Sequence, residues 1–267
     1  PTLEIASKVK ADATVEAEYG SQVVKGTKIT LAHHVPEYKN CPAPCIAIVE
    51  PLQEPTILVS HVDLDTIGGI MSIIGEKPEH PAFWEAVAFI DLNGRHRLAE
   101  VSKKVQPLIK GAWAIDSKYR LGRVEKLTNI TKTVQKYIDD IQSLLAGNKK
   151  LIRIGEREFE KLQQSQENCL IEEDRKVRFF ITENVPCSFA YYSPSLKKVV
   201  PLIVVFNNKF KSITVSCENG QLNVGKFVKE LWGEGAGGHA GIGGSPRGKE
   251  MTLADAKEAV KILQSRL

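Results

Sequence analysis

The stretch "TILVSHVDLDTIGGIMSIIG", residues 56 to 75, constrains the fold most. Ile57 to Val59 is a short unbroken apolar run, the mark of a buried strand, and it passes directly into "TIGGIMSII", which reads as a helix. A buried strand that delivers polar residues at its C-terminal end and then turns into a helix places the chain among mixed α/β proteins.

Three β-rich runs precede this stretch, "ATVEAEY", "TKITLAHHV" and "CIAIVEPL", with turn residues between them. After it, "PAFWEAVAFIDLNG" has Pro81 suited to a first helical position and "NG" as a stop, which predicts a helix ending near Asp91; a strand over "AVAFID" is the alternative. From Leu98 to about Leu170 the pattern is helical, with Leu127, Ile130, Val134, Ile138, Ile141 and Leu145 spaced to line one face. Then come four strand-like runs, "KVRFFITE", "CSFAYYS", "KVVPLIVVF" and "KSITVSCE". A helix "NVGKFVKELWG", a glycine-rich loop and a closing helix follow them. The composition shift near residue 170 predicts a domain over 1–150 with a β-rich N-terminal segment, a connector over 151–175, and a smaller domain over 176–267.

With 267 residues, 42% of them hydrophobic, the chain has material for two ordinary cores. Five cysteines form no disulfide framework, and the apolar runs fall short of membrane length, so the expectation is a soluble, cytoplasmic protein without a membrane partner. A net charge of +4 permits an anionic partner without requiring one.

The residues with chemistry begin at "HVDLDTIGG". His61, Asp63 and Asp65 offer one borderline nitrogen and two hard oxygen donors, a mixture that suits Mn²⁺ or a similar divalent ion. A strand continued through Asp65 would put all three on one side; the alternative is a strand-to-helix turn in which Asp65 or Thr66 caps the helix. Further donors are His33, His34, Asp91, His96 and Asp116. A competing zinc site would use His33, His34, Cys41 and Cys45. No G-x-S-x-G, Walker A loop or recognisable cysteine–histidine signature is present. Near the C-terminus, "GGHAGIGGSPRG" holds six glycines in twelve residues. Its amides, His239 and Arg247 are matched to phosphate or carboxylate oxygens, and a plain glycine-rich link is the alternative.

These stretches resemble the DHH phosphoesterases. "NVGKFVKELWGEGAGGHAGIGGSPRG" with the helix after it is similar to the C-terminal DHHA1 domain, whose hallmark is a GGH loop. "HVDLDTIGG" is similar to the family's first motif, whose Asp-x-Asp binds catalytic manganese. The likeness covers about residues 57 to 96 and 177 to 267. It implies an N-terminal α/β lobe with a mainly parallel sheet, a smaller C-terminal α/β lobe, and a helical connector. It further implies two divalent ions, Mn²⁺ or alternatively Mg²⁺, in the N-terminal lobe. Asp63, Asp65 and Asp91 become the catalytic aspartates, and Gly237, Gly238 and His239, with Arg247, hold the substrate phosphate.

The name-giving Asp-His-His triplet does not follow Asp91. "AHH" at 32 to 34 lies ahead of the first motif, and His61 stands two residues before Asp63 where the family has four. The expected metal shell is therefore His61, Asp63, Asp65 and Asp91, with His33, His34 and His96 reaching it by a rearranged route. The expected activity is hydrolysis of phosphodiester or phosphomonoester bonds in small nucleotides or short single-stranded oligonucleotides by two-metal activation of water. The alternative is a catalytically degenerate nucleotide- or nucleic-acid-binding protein. Oligomeric state stays open, a homodimer among the choices.

Overall fold

A computed structural model describes residues 2–122, 125–183 and 188–266. Cys187, at the head of "CSFAYYS", lies outside the described residues. The chain divides into two compact units, one of residues 1–94 and 98–159, the other of residues 95–97 and 160–267. Both mix strands and helices, so the α/β class holds throughout. No helix among the described residues is long and apolar enough to cross a membrane.

In the first unit, helix α1 (Leu3–Ala6) leads into β1 (Ala13–Val15), a small hairpin of β2 (Glu18–Tyr19) and β3 (Gln22–Val23), then β4 (Ile29–Leu31) and β5 (Ile57–Val59). The sheet has the order β4-β1-β5 and is parallel throughout, with Val15 opposite both Leu31 and Val59. "CIAIVEPL" is not a strand. Pro44 opens a 3-10 turn over Pro44–Ile46, and the chain then runs irregularly with Ile48 98% exposed, leaving no apolar face to pair.

Helix α2 (Leu64–Ile74) follows β5 and is buried from Leu64 through Ile73. Gly68 makes that possible: a Cβ there would stand 2.4 Å from Cys45 Cβ and 2.9 Å from the Trp84 ring. Helix α3 (Pro81–Asn93) starts on its proline and ends at Gly94, which settles the "AVAFID" alternative in favour of helix. Helices α4 (Gln106–Tyr119), α5 (Thr131–Leu145) and α6 (Lys149–Glu167) follow. On α5 the buried face is Tyr137, Ile138, Ile141 and Leu144, each side chain contributing about 1.5–3 kcal/mol by leaving water. Leu127 precedes the helix and is exposed, and Leu144 rather than Leu145 takes the inner position.

The second unit is built on a six-stranded sheet. Its strands are β6 (Leu170–Glu173), β7 (Val177–Thr182), β10 (Leu202–Asn207), β11 (Ser212–Cys217), β12 (Gly237–Gly238) and β13 (Ile242–Gly244). A separate hairpin joins β8 (Tyr192–Ser193) to β9 (Lys198–Val199). The order is β12-β13-β11-β10-β7-β6, parallel only between β10 and β7. Helices α7 (Val224–Trp232) and α8 (Leu253–Arg266) bring Phe227, Val228, Val260 and Leu263 into a core with Phe179, Val204 and Val215.

On β7 of this sheet Arg178 is fully buried. Its Nε donates to Glu173 at 3.0 Å, Nη2 to both oxygens of Glu167 at 2.7 Å, and Nη1 to the carbonyls of Ala190 and Tyr192 at 2.6 Å.

Candidate metal centre

Parallel strands in register release their following residues at one edge, and here three such exits converge. Glu16 follows β1 directly, His33 and His34 follow β4 after Ala32, and Ser60, His61 and Asp63 follow β5. The strand does not continue through Asp65. Asp63 is itself the N-cap of α2, its Oδ1 accepting the Thr66 N–H at 3.1 Å, and Asp65 sits in the first turn. Asp91 arrives from the last turns of α3.

Glu16 lies at the middle of this edge, buried and with φ +46°. A non-glycine residue in the left-handed region costs on the order of 1 kcal/mol and persists where surroundings hold it. Its Oε1 is 3.4 Å from Nε2 of both His33 and His34. Its Oε2 is 3.4 Å from His61 Nε2 and accepts the Thr66 hydroxyl at 2.6 Å. His33 Nε2 also stands 3.4 Å from Asp65 Oδ2 and from Asp91 Oδ2; His34 Nε2 is 3.5 Å from Asp91 Oδ2, and His61 Nε2 is 3.4 Å from Asp63 Oδ2.

Three groups able to hold a metal ion result: Glu16 with His33 and His34, Glu16 with His61 and Asp63, and His33 with Asp65 and Asp91. The spacing suits an ion better than direct bonding. A good N–H···O hydrogen bond spans about 2.7–3.2 Å, whereas donor atoms held about 2.1 Å from one ion lie roughly 3.0–3.4 Å apart. Accordingly His33 Nε2, Asp65 Oδ2 and Asp91 Oδ2 are buried and have no hydrogen-bond partner among the described residues. Each unsatisfied buried polar atom costs about 1–3 kcal/mol, more if charged.

The outer groups hold these donors in place. The Ser60 hydroxyl donates to the Glu16 carbonyl and stands 2.9 Å from His61 Nδ1. With its proton committed, Ser60 accepts from Nδ1–H, so that the neutral ring carries its lone pair on Nε2, the atom beside Glu16 and Asp63. Glu18 Oε1 accepts the amides of His33 and His34 at 3.0 and 3.1 Å, and Asp65 Oδ1 accepts the Cys45 amide at 2.9 Å.

In the absence of a metal the imidazoles take protons. Burial opposes charge on His33, yet the Asp65 and Glu16 carboxylates raise its pKa to about 9. Asp91 and Glu16 raise His34 to about 10, and Asp63 and Glu16 raise His61 to about 10. Against the penalty of burial, the neighbouring His33, His34 and His61 rings and the Thr66 hydroxyl hold Glu16 far below the usual carboxylate range. Asp65 goes the other way, raised by burial and by the Glu16 charge.

The other expected donors lie elsewhere. His96 follows the end of α3 at Gly94 and belongs to the second unit, where its Nε2 stands 3.2 Å from Glu218 Oε1. It is in none of the metal-competent groups among the described residues, and neither is any cysteine. Cys41 is exposed, while the buried Cys45 thiol faces the Trp84 carbonyl at 3.6 Å with its pKa pushed up by burial. Asp116 is buried and accepts the Tyr137 hydroxyl at 2.9 Å.

In the second unit, Gly237 and Gly238 pair with Gly244 and Gly243 as a hairpin at the edge of the sheet. A Cβ on Gly238 would meet the Ile242 carbonyl at 2.2 Å, so close backbone packing alone demands glycine there. The first amides of α7 are also occupied: Val224 N–H donates to Ala240 O and Gly225 N–H to His239 O. His239 and Arg247 are exposed.

Glu16 was not among the sequence candidates. Its signal was present, two glutamates alternating with alanine in "VEAE", a pattern that carries carboxylates straight off a buried strand.

No family model matches the sequence, and no curated protein matches it. Among solved structures the chain is similar to PggH, a pGpG-specific phosphodiesterase from Vibrio cholerae, with TM-score 0.48 and 13% identity over 95% of this chain and 82% of that one. It is also similar to an uncharacterized protein from Helicobacter pylori G27, with TM-score 0.25 and 13% identity over 91% and 76% of the two chains. At these scores neither likeness specifies a function.

Proposed function

We propose that this protein is a divalent-metal-dependent phosphoesterase that hydrolyses phosphodiester or phosphomonoester bonds in small nucleotides or short oligonucleotides. The observation that carries the reading is the buried trio of His33 Nε2, Asp65 Oδ2 and Asp91 Oδ2, clustered together and without a hydrogen-bond partner among the described residues. The sequence resemblance of "HVDLDTIGG" and the GGH loop supplies the phosphoryl substrate.

The donors fit two divalent ions. Glu16, Asp63, Asp65 and Asp91 carry four negative charges, which two such ions balance with His33, His34 and His61 neutral. Three imidazole nitrogens among the donors favour Mn²⁺ over Mg²⁺. When bound, divalent ions supply Lewis-acid stabilisation of a phosphoryl oxygen and lower the pKa of a coordinated water toward neutrality. Glu16, with one oxygen toward His33 and His34 and the other toward His61, ties the two positions together. Ser60 keeps His61 in the liganding tautomer, and Glu18 keeps the His33–His34 backbone in place. Gly237, Gly238, His239 and Arg247 are assigned to the substrate phosphate, where a guanidinium and an imidazole neutralise charge on non-bridging oxygens.

The test is Mn²⁺ content and hydrolysis of 5′-phosphorylated dinucleotides by the purified chain. Asp63→Asn retains an acceptor for the α2 cap and is expected to lose Mn²⁺ and turnover together. His239→Ala is expected to keep Mn²⁺ while KM rises and kcat falls. Unchanged hydrolysis in Asp63→Asn ends the proposal, and a metal-free wild type that still binds nucleotides establishes the binding-module alternative.

A further inference from the structure

Arg120 closes α4, its N–H donating to the Asp116 carbonyl at 2.7 Å. The next residue, Leu121, exchanges both backbone hydrogen bonds with Val62, at 2.8 and 3.0 Å. Val62 lies between His61 and Asp63, so the backbone beside Arg120 is fastened to the segment that carries two of the candidate ligands. The guanidinium is about half exposed, with Nη2 3.5 Å from Asp63 Oδ2 and Nη1 3.9 Å from Asp116 Oδ2. Asp116 is itself immobilised, since Tyr137, fully buried, donates its hydroxyl to the other oxygen.

Asp63 Oδ2 therefore faces Arg120 on one side and, on the other, the position that a divalent ion held by Glu16, His61 and Asp63 would take. Arginine does not lose its charge, and a guanidinium beside a divalent ion repels it across a few ångströms. An anion lying between them converts that repulsion into two attractions. The guanidinium fork matches two oxygens of one phosphoryl group, and its half-exposed position leaves it open to a ligand arriving from solvent.

We propose that Arg120 binds the phosphoryl oxygens of the substrate at the metal centre, as a substrate-binding residue supplied by the first unit itself. The inference rests on the metal-dependent reading above and adds a residue that no sequence motif singled out.

The test uses the full chain loaded with Mn²⁺. Mn²⁺ content is measured first, and inorganic phosphate is then titrated calorimetrically into wild type, Arg120→Gln and Arg120→Lys. Arg120→Gln is expected to weaken phosphate binding about 10- to 100-fold at unchanged Mn²⁺ content, the worth of a lost charge-assisted hydrogen bond. Arg120→Lys recovers part of the loss, because a point charge replaces the fork. Phosphate affinity in Arg120→Gln within about twofold of a fully loaded wild type, the scatter allowed for a surface change, overturns the inference. A wild type that takes up no Mn²⁺ overturns the metal centre, and this inference with it.

Discussion

Arg178 in the second unit and the His33–Asp65–Asp91 group in the first are both buried polar clusters, and they are satisfied in opposite ways. Every polar nitrogen of Arg178 meets an oxygen at 3.0 Å or less, from two carboxylates and two carbonyls. The atoms of the other group sit 3.4 Å apart and form no hydrogen bonds among the described residues. Burial of charge is common to the two; unmet valence is not. A closed network such as that of Arg178 holds strands and turns together, whereas an open one leaves donor atoms that could hold a metal ion.

The widest test of this contrast is to remove the closed member. Arg178→Ala takes the guanidinium from the Glu167 and Glu173 carboxylates and is expected to cost about 3–5 kcal/mol, read from urea unfolding, with Mn²⁺ uptake by folded protein unchanged. A loss under about 1 kcal/mol, the range of an exposed pair, would place Arg178 among surface-like contacts and erase the distinction.

Opening the other cluster has the reverse signature. Asp65→Asn keeps an acceptor for the Cys45 amide and relieves a carboxylate that burial already disfavours. Metal-free stability should hold or rise while Mn²⁺ affinity falls by more than about 100-fold, beyond the range of outer-shell changes. Calorimetry on the two proteins reads both quantities. Ser60→Ala comes next, with an expected loss near 10-fold, because His61 can then present either tautomer.

The mildest effect is that of pH on metal-free protein. The folded pKa values of His33, His34 and His61, about 9 to 10, lie above the ordinary histidine value. Folded protein therefore binds more protons than unfolded protein between about pH 6.5 and 10, and the stability these groups contribute, full below about pH 6.5, is lost as pH rises through that window. Exposure of His34 weakens its share. Tm of the metal-free form is expected to fall as pH rises from 7 to 10; a Tm that climbs instead contradicts the protonated-imidazole description. Mn²⁺ affinity moves the opposite way, since each bound ion displaces ring protons.

The sequence made the donors visible and concealed their register. Asp63, Asp65, Asp91, His33 and His34 stand out by residue type, and "TILVS" running into a helix announced a strand with polar residues at its end. Glu16 did not stand out, because its place depends on Val15 lying level with Leu31 and Val59, a pairing between segments many residues apart. His96 misled for the complementary reason: five residues from Asp91 in sequence, it lies past the end of α3 at Gly94 and belongs to the second unit, where it pairs with Glu218. In the C-terminal part the glycines were legible as a shaped loop, but not as a hairpin, since the partner that makes them a sheet edge is β11.

Helix α2 carries one more consequence. With Leu64 through Ile73 all out of solvent and Gly68 seated against Cys45, the helix has no free face on which to shift. Its amides can exchange with deuterium only when the first unit opens as a whole, at the slow end of the exchange spectrum. Asp63 caps that helix and Asp65 lies in its first turn, so an ion bound beside them would meet carboxylates whose backbone the core already holds in place.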